Sequence, residues 1–225
     1  MQTRRLAWIG VFALAMAFVE AAVVVYLRRI LGVVDLLRDA AAYDPAIALT
    51  EIGREAATLL MFVAVGFATG RSLKSRVGFA LFAFGLWDIL YYVWLKVLLG
   101  WPRSLLTEDV LFLIPLPWWG PVLAPVLIAL LSAAFGAVLV ACDETGRPVR
   151  LGGFEWTALL AGMTVVLYTF MADAISALPA SAEELGRLKP TAFLWPLYLA
   201  GLAAMVLSVA RCRRGPPRGS RASWR

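Results

Sequence analysis

Asp88 is the residue whose position most needs a chemical explanation, because it lies within an apolar stretch long enough to cross a bilayer. It follows the start of that stretch at residue 77 by 11 positions, which places it about 17 Å deep, near the midplane. Tyr91 and Tyr92 follow at three and four positions, and Lys96 follows Tyr92 at four. One helix face can therefore carry a ladder of polar groups from the midplane to the surface.

Glu20 is a second acid at membrane depth. It lies 14 residues into the first apolar stretch, about 21 Å from the end nearer the N-terminus. Ala13 and Ala17 share its helix face, and small side chains allow close helix packing. Glu20 is therefore expected to face other helices rather than lipid.

The second apolar stretch carries charges near its beginning, namely Glu51, Arg54 and Glu55. One explanation places the acids in the first turn of a helix, where they complement the helix dipole while Thr50 forms the N-cap and Arg54 pairs with an acid. The other explanation brings Arg54 and Glu55 into a polar site with the acids described above. The sequence leaves both open.

Together these residues predict a polar pocket in the outer half of a helical bundle. Its floor would consist of Glu20 and Asp88, and its walls would consist of Arg54, Glu55, Tyr91, Tyr92 and Lys96. A charged side chain at the centre of a membrane helix costs roughly 2.5–3.5 kcal/mol, so buried carboxylates require pairing, protonation or a function. Carboxylates and phenols suit protons, hard cations, amines and hydrogen-bonding headgroups, and Glu20 and Asp88 are the only plausible deep ligands for a metal.

Three functions are compatible with this pocket. It could bind or transport a small polar or cationic ligand. It could belong to a membrane-embedded enzyme acting on a lipid-linked substrate, with carboxylates as general acid and base or as ligands of a divalent metal. In a structural or assembly subunit, the charges would only fix helix packing, with Asp88 paired to Lys96 or Tyr92 and Glu20 paired to Arg54.

The absence of histidine from all 225 residues restricts the chemistry. It argues against haem and histidine-ligated metals as cofactors, and against histidine-based catalytic triads. Cys142 and Cys212 are too few for a thiolate metal site and are expected to be small apolar fillers. No cofactor is evident from the sequence.

Composition indicates the fold class. The chain is 62% hydrophobic and 16% charged, with a mean hydropathy of +0.81, and its apolar residues fall into runs of about 20, the length of a membrane-spanning helix. We predict an all-α integral membrane protein, a six-transmembrane helix bundle forming one domain over residues 1–210. The predicted spans are 6–27, 51–70, 77–99, 120–141, 154–173 and 191–209.

The connecting segments carry further expectations. Residues 100–120 contain several prolines and tryptophans, which favours either an interfacial helix or a re-entrant segment that supplies irregular backbone near the site. Residues 30–37 could add a short interfacial helix, and Ser181 with Glu184 fits a capping box for a short external helix. Residues 211–225 are expected to be a basic, disordered cytoplasmic tail.

Positive charge predicts the orientation. With both termini in the cytoplasm, 13 of the 21 Lys and Arg residues lie inside, although Arg28 and Arg29 lie outside. Six of the inside arginines are in the tail, where anionic lipid rather than nucleic acid is the expected partner. The alanine-rich and arginine-rich composition is compatible with a multi-pass protein of a bacterial inner membrane, and homo- or hetero-oligomers are both compatible with the sequence.

Overall fold

The structure is a computed structural model and describes residues 2–33 and 44–214. Within these ranges five helices are long and apolar enough to cross a membrane, which confirms the prediction of a helical, multi-pass membrane protein. They are α1 (Gln2–Ile30), α2 (Pro45–Thr69), α3 (Leu73–Leu99), α4 (Leu123–Glu144) and α5 (Gly153–Ala177).

Shorter elements connect or follow these helices. They are β1 (Glu108–Val110), β2 (Trp119–Pro121), β3 (Val149–Arg150), α6 (Ala182–Gly186), α7 (Trp195–Ala210) and β4 (Arg213–Arg214). The predicted capping box of α6 is confirmed, because Ser181 and Glu184 exchange side-chain to backbone hydrogen bonds. The predicted sixth span corresponds to α7, which is apolar but has only 16 residues because it begins at Trp195, next to Pro196.

Helix α3 is the central element of the bundle and packs against α1, α2 and α4, while α5 packs against α7. Close approach of α3 and α4 depends on glycines. A Cβ added at Gly78 would lie 2.9 Å from the carbonyl oxygen of Gly136, and one added at Gly85 would lie 2.7 Å from the backbone nitrogen of Ala133. On α1, Ala13 and Ala17 are fully buried, which confirms that the small-residue face of this helix is turned inward.

The start of α2 corrects one expectation. The N-cap is Asp44, whose side chain accepts hydrogen bonds from the backbone nitrogens of Ala46 and Ile47. Thr50 instead donates its hydroxyl to the carbonyl oxygen of Ala46. The first turn contains no acid, so the helix dipole at this end does not explain the charges that follow it.

The boundaries of α4 and α5 also differ from prediction. Pro121 lies in β2 rather than in a helix. Pro125 lies in the first turn of α4, where a backbone N–H has no partner within the helix, so its absence removes no helical hydrogen bond. Asp173 does not close α5, because that helix continues to Ala177. The side chain of Asp173 accepts hydrogen bonds from the backbone and hydroxyl of Thr191.

The segment between α3 and α4 forms an antiparallel hairpin of β1 and β2, which pair from Glu108 with Pro121 to Val110 with Trp119. The alternative of an interfacial helix is therefore wrong, and irregular backbone takes its place. Two further hydrogen bonds extend the hairpin toward α4, from the backbone of Val122 to Thr107 and from Leu123 to Leu105. The last residues of the hairpin are buried, and we call residues 101–122 the hairpin segment.

Two other expectations concern the chain ends and the first loop. Residues 34–43, which include most of the possible interfacial helix at 30–37, lie outside the described residues. Residues 215–225 of the predicted disordered tail lie outside them as well. The tail does not begin as a free segment, because Arg213 and Arg214 pair with Val149 and Arg150 as a two-residue ladder.

Side-chain contacts join the helices at the end of the bundle where α1 begins. Arg5 donates to the carbonyl oxygen of Thr69 at 3.1 Å. Ser72 donates to the carboxylate of Asp143 at 2.6 Å, and Lys74 Nζ lies 3.8 Å from the same carboxylate. Together with the glycine packing of α3 on α4, these contacts close that end.

Candidate functional site

A cavity of about 330 Å³ lies at the opposite end of the bundle. Its walls come from the last turns of α1, the first half of α2, the second half of α3, the hairpin segment, the start of α4 and Phe170 of α5. Its volume is in the range of small-molecule sites. Five carboxyl groups and two guanidinium groups line it, namely Glu20, Glu51, Glu55, Asp88 and Asp109 with Arg28 and Arg54.

Arg54 forms ion pairs with two of these acids. Its guanidinium forms an ion pair with Glu20 of α1 and another with Glu51, one turn earlier on α2, at 2.8 Å. The side chains are 23%, 9% and 13% exposed, respectively. The pairing joins α1 to α2 and accounts for the depth of Glu20 in structural terms.

Glu55 holds the hairpin segment against α2. Both of its carboxylate oxygens accept hydrogen bonds from the backbone nitrogen of Leu113, at 3.0 and 2.8 Å. This amide lies in the irregular part of the hairpin segment and would otherwise lack a partner within a strand. Glu55 therefore has a structural role at the wall of the cavity.

Asp109 is buried on β1 and accepts a hydrogen bond from the hydroxyl of Tyr92 at 3.2 Å. Burial raises the pKa of Asp109 to about 7, although the positive charge of Arg28 and the Tyr92 hydrogen bond act to lower it. The guanidinium of Arg28 stacks on the ring of Trp101, 4.2 Å from its centroid. Arg28 therefore has a structural role beside Asp109 and Trp101. This role accounts for an arginine on the predicted outer side of the membrane, where few arginines are expected.

Asp88 differs from the other acids of the cavity. Within residues 2–33 and 44–214, no group forms a hydrogen bond or an ion pair with its carboxylate. Tyr92 bonds to Asp109 instead, and Lys96 donates to the carbonyl oxygens of Gly100 and Pro102 at 3.2 and 2.8 Å. The expected pairing of Asp88 with Lys96 or Tyr92 is therefore wrong, whereas that of Glu20 with Arg54 is confirmed.

Aromatic side chains form much of the remaining wall. The rings of Trp87 and Tyr91 are stacked with their centroids 6.2 Å apart, and those of Phe112 and Trp118 lie 5.3 Å apart. The aromatic residues that line the cavity are Phe84, Trp87, Tyr91, Tyr92, Phe112, Trp118 and Phe170. Their faces are electron-rich and attract cations.

The structure brings six of the seven predicted site residues to this cavity: Glu20, Arg54, Glu55, Asp88, Tyr91 and Tyr92. Lys96 is not among them, because its ammonium donates to the carbonyl oxygens of Gly100 and Pro102, which follow the end of α3. Sequence reasoning did not select Asp109, although an acid within the apolar run 105–114 was a usable signal. It also did not select Trp87, Trp118 or Thr58, because the selection relied on charged residues and these side chains are neutral.

A second, smaller cavity of about 170 Å³ lies between β1, the end of α5 and residues 190–194. Two carboxyl groups line it, those of Glu108 and Asp173. Burial raises the pKa of Glu108 to about 7, and the charge of Asp173 adds to this effect. Because Asp173 is already bonded to Thr191, its main role here is to fix the segment that leads into α7.

The carboxyl groups of the larger cavity do not form a metal cluster: in the described part of the chain, no three Asp, Glu or Cys side chains converge on a point that could hold a metal ion. Glu20, one of the two predicted deep ligands, is instead occupied by Arg54. Searches of the chain against protein-family models, curated proteins and solved structures found no match.

Proposed function

We propose that this protein binds a small organic cation in the larger cavity, with Asp88 as the counter-ion. The observation that carries the proposal is the carboxylate of Asp88, which lines the cavity and has no hydrogen-bond or ion-pair partner among the described residues. The other four acids have partners, which are Arg54 for Glu20 and Glu51, Leu113 for Glu55 and Tyr92 for Asp109. Asp88 is thus the one carboxylate of the five that is left for a ligand.

The surroundings of Asp88 favour an organic cation over a metal ion. A hard metal ion such as Ca²⁺ takes six to eight oxygen ligands, whereas a single uncommitted carboxylate among aromatic rings offers few. Trp87 and Tyr91 supply ring faces on the same helix, and cations held over such faces are bound more strongly when they are desolvated. An alkylammonium group meets both requirements, because its charge pairs with the carboxylate and its apolar surface contacts the rings.

The proposal includes a six-span arrangement in the cell membrane with both termini in the cytoplasm, so that the cavity faces the outer side. Helix α7 would be the sixth span. Its 16 residues extend about 24 Å, which falls short of a hydrocarbon core of about 30 Å by an amount that local thinning of the bilayer accommodates. The charge distribution supports this orientation.

Transport is a further step beyond binding. A transport cycle would have to break the contacts that join Arg5 to Thr69 and Ser72 to Asp143, since they close the end of the bundle opposite the cavity. The present geometry supports binding from one side, and uptake of a radiolabelled cation into proteoliposomes measures whether the site also releases its ligand to the other side.

Thermal unfolding of the purified protein in detergent tests the binding proposal, with tetramethylammonium chloride as the probe and sodium chloride of equal ionic strength as the reference. A bound cation raises Tm by an amount that grows with the logarithm of the ratio of its concentration to its Kd, and D88N is expected to weaken the affinity by roughly tenfold or more. D143N, which changes an aspartate at the closed end, serves as the matched control. An absent shift in the unmodified protein, or an equal shift in D88N, would refute the proposal.

A further inference from the structure

Three hydrogen-bond donors in the larger cavity play no part in binding the cation at Asp88. They are the hydroxyl of Thr58 on α2, the indole N–H of Trp87 on α3 and the indole N–H of Trp118 on the hairpin segment. Thr58 is 1% exposed and Trp87 is 4% exposed. Among the described residues, none of the three groups has a hydrogen-bond partner.

These donors indicate what the cavity lacks. A buried donor without an acceptor destabilises a fold, and here three such groups come from three different elements to one cavity. The acids nearby do not serve them, since four are bonded elsewhere and Asp88 forms a hydrogen bond with none of the three. An indole N–H can only donate, so the missing group must be an acceptor.

We propose that the ligand of this cavity is an organic cation that also carries a neutral oxygen acceptor, such as a hydroxyl, ether or ester oxygen. Its ammonium group lies at Asp88, and its oxygen accepts from the indole groups of Trp87 and Trp118, with Thr58 available as a third donor. The inference rests on the proposed cation site. It adds to that proposal a second recognised group of the ligand, the neutral oxygen, which we call the second pole.

The charge and volume of the cavity restrict this acceptor further. Five carboxyl groups against two guanidinium groups disfavour a carboxylate or phosphate at the second pole, because like charges would then share a site of low dielectric. A volume of about 330 Å³ equals that of roughly ten water molecules. A short chain that joins an ammonium group to an oxygen fits within it.

Three probes of nearly equal size separate these features. Choline carries a quaternary ammonium and a hydroxyl, propyltrimethylammonium replaces the hydroxyl with a methyl group, and glycine betaine carries a carboxylate in place of the hydroxymethyl group of choline. Dissociation constants measured by isothermal titration on the full chain in nanodiscs are expected to be roughly fivefold to a hundredfold lower for choline than for the propyl compound. Glycine betaine is expected to bind more weakly than choline, and tighter binding of betaine would overturn the neutral acceptor.

Donor variants test whether Trp87, Trp118 and Thr58 cause this preference. W87F and W118F keep an aromatic ring but lose the N–H, and T58V keeps the side-chain shape but loses the hydroxyl. Each is expected to reduce the ratio of the two dissociation constants, whereas W156F, at an exposed tryptophan outside the cavity, should leave the ratio unchanged. T58V keeps the test decisive if a tryptophan variant fails to fold.

The outcomes separate this inference from the proposal on which it rests. Equal binding of choline and the propyl compound, with Asp88-dependent binding of tetramethylammonium retained, would overturn the second pole and leave the cation site in place. A ratio unchanged in every donor variant would also overturn it, since water would then satisfy these donors. Loss of tetramethylammonium binding in the unmodified protein would instead overturn both.

Discussion

The ion pairs of Arg54 lead to a quantitative prediction about stability. Removing one partner of a buried ion pair costs about 3–5 kcal/mol because the other charge is left unpaired. R54M would leave the carboxylates of Glu20 and Glu51 without their cation. Since the guanidinium is 23% exposed, solvent screens part of the effect, and the lower end of the range, about 3 kcal/mol, is the appropriate estimate.

For a chain of 225 residues, a loss of about 3 kcal/mol corresponds to a fall in Tm of roughly 6–12 °C. Tryptophan fluorescence during heating in detergent measures it. The triple variant R54M/E20Q/E51Q should recover most of the loss, because neutral amides need no counter-ion, and R54K should be intermediate, because an ammonium group cannot bind two carboxylates as a planar guanidinium does. R103M, at an exposed arginine in the hairpin segment, is the control.

Two results would contradict this reasoning. If R54M unfolds within about 2 °C of the unmodified protein, the ion pairs contribute little stability. If the triple variant is no more stable than R54M, the loss arises from the missing packing of the arginine side chain rather than from unpaired charge.

Three further predictions concern packing, the hairpin segment and pH. G85L should prevent α3 from approaching α4, since an added Cβ would lie 2.7 Å from the backbone nitrogen of Ala133. The expected outcome is loss of monodisperse protein in size-exclusion chromatography. G53L is the control, because a Cβ added at Gly53 meets no neighbouring atom. E55M should remove the acceptor of the Leu113 amide and accelerate its hydrogen exchange by roughly tenfold to a hundredfold. Burial, and to a smaller extent the neighbouring carboxylate of Asp173, raise the pKa of Glu108 from 4.5 to about 7. The stability that the protonated carboxyl group contributes is therefore present below pH 4.5 and is lost as pH rises through 7. E108Q should flatten the fall in Tm between pH 5 and 8, and an unchanged slope would refute the assignment.

Much of the fold could be predicted because exposing polar groups to lipid is costly, which restricts both the composition and the backbone structure of segments that cross a membrane. Apolar runs of membrane-spanning length identified five helices, and the alanines beside Glu20 correctly indicated which face of α1 is buried. The same cost drew attention to Asp88 and Arg54, since charges in spans are rare. Helix starts were less predictable, and α2 begins at Pro45 with Asp44 as its N-cap rather than the expected Thr50.

The hairpin segment could not be predicted, and neither could the partners of Asp88. Strands of three residues among prolines carry no usable alternation. Spacing along α3 correctly showed which residues share a face, but Tyr92 and Lys96 had better acceptors available in Asp109 and in backbone carbonyls after the helix. Those acceptors lie in a segment whose position only the tertiary structure reveals.

The hydrogen bonds between Glu55 and Leu113 have a consequence for how the protein is made. The two residues are 58 positions apart, so at translation rates of about 5–20 residues per second the amide is synthesised roughly 3–12 s after its acceptor. Arg54 can meet Glu20 and Glu51 as soon as α1 and α2 have been inserted. Glu55 instead reaches the membrane before its partner exists, so the insertion machinery or water must accommodate this carboxylate until the hairpin segment arrives.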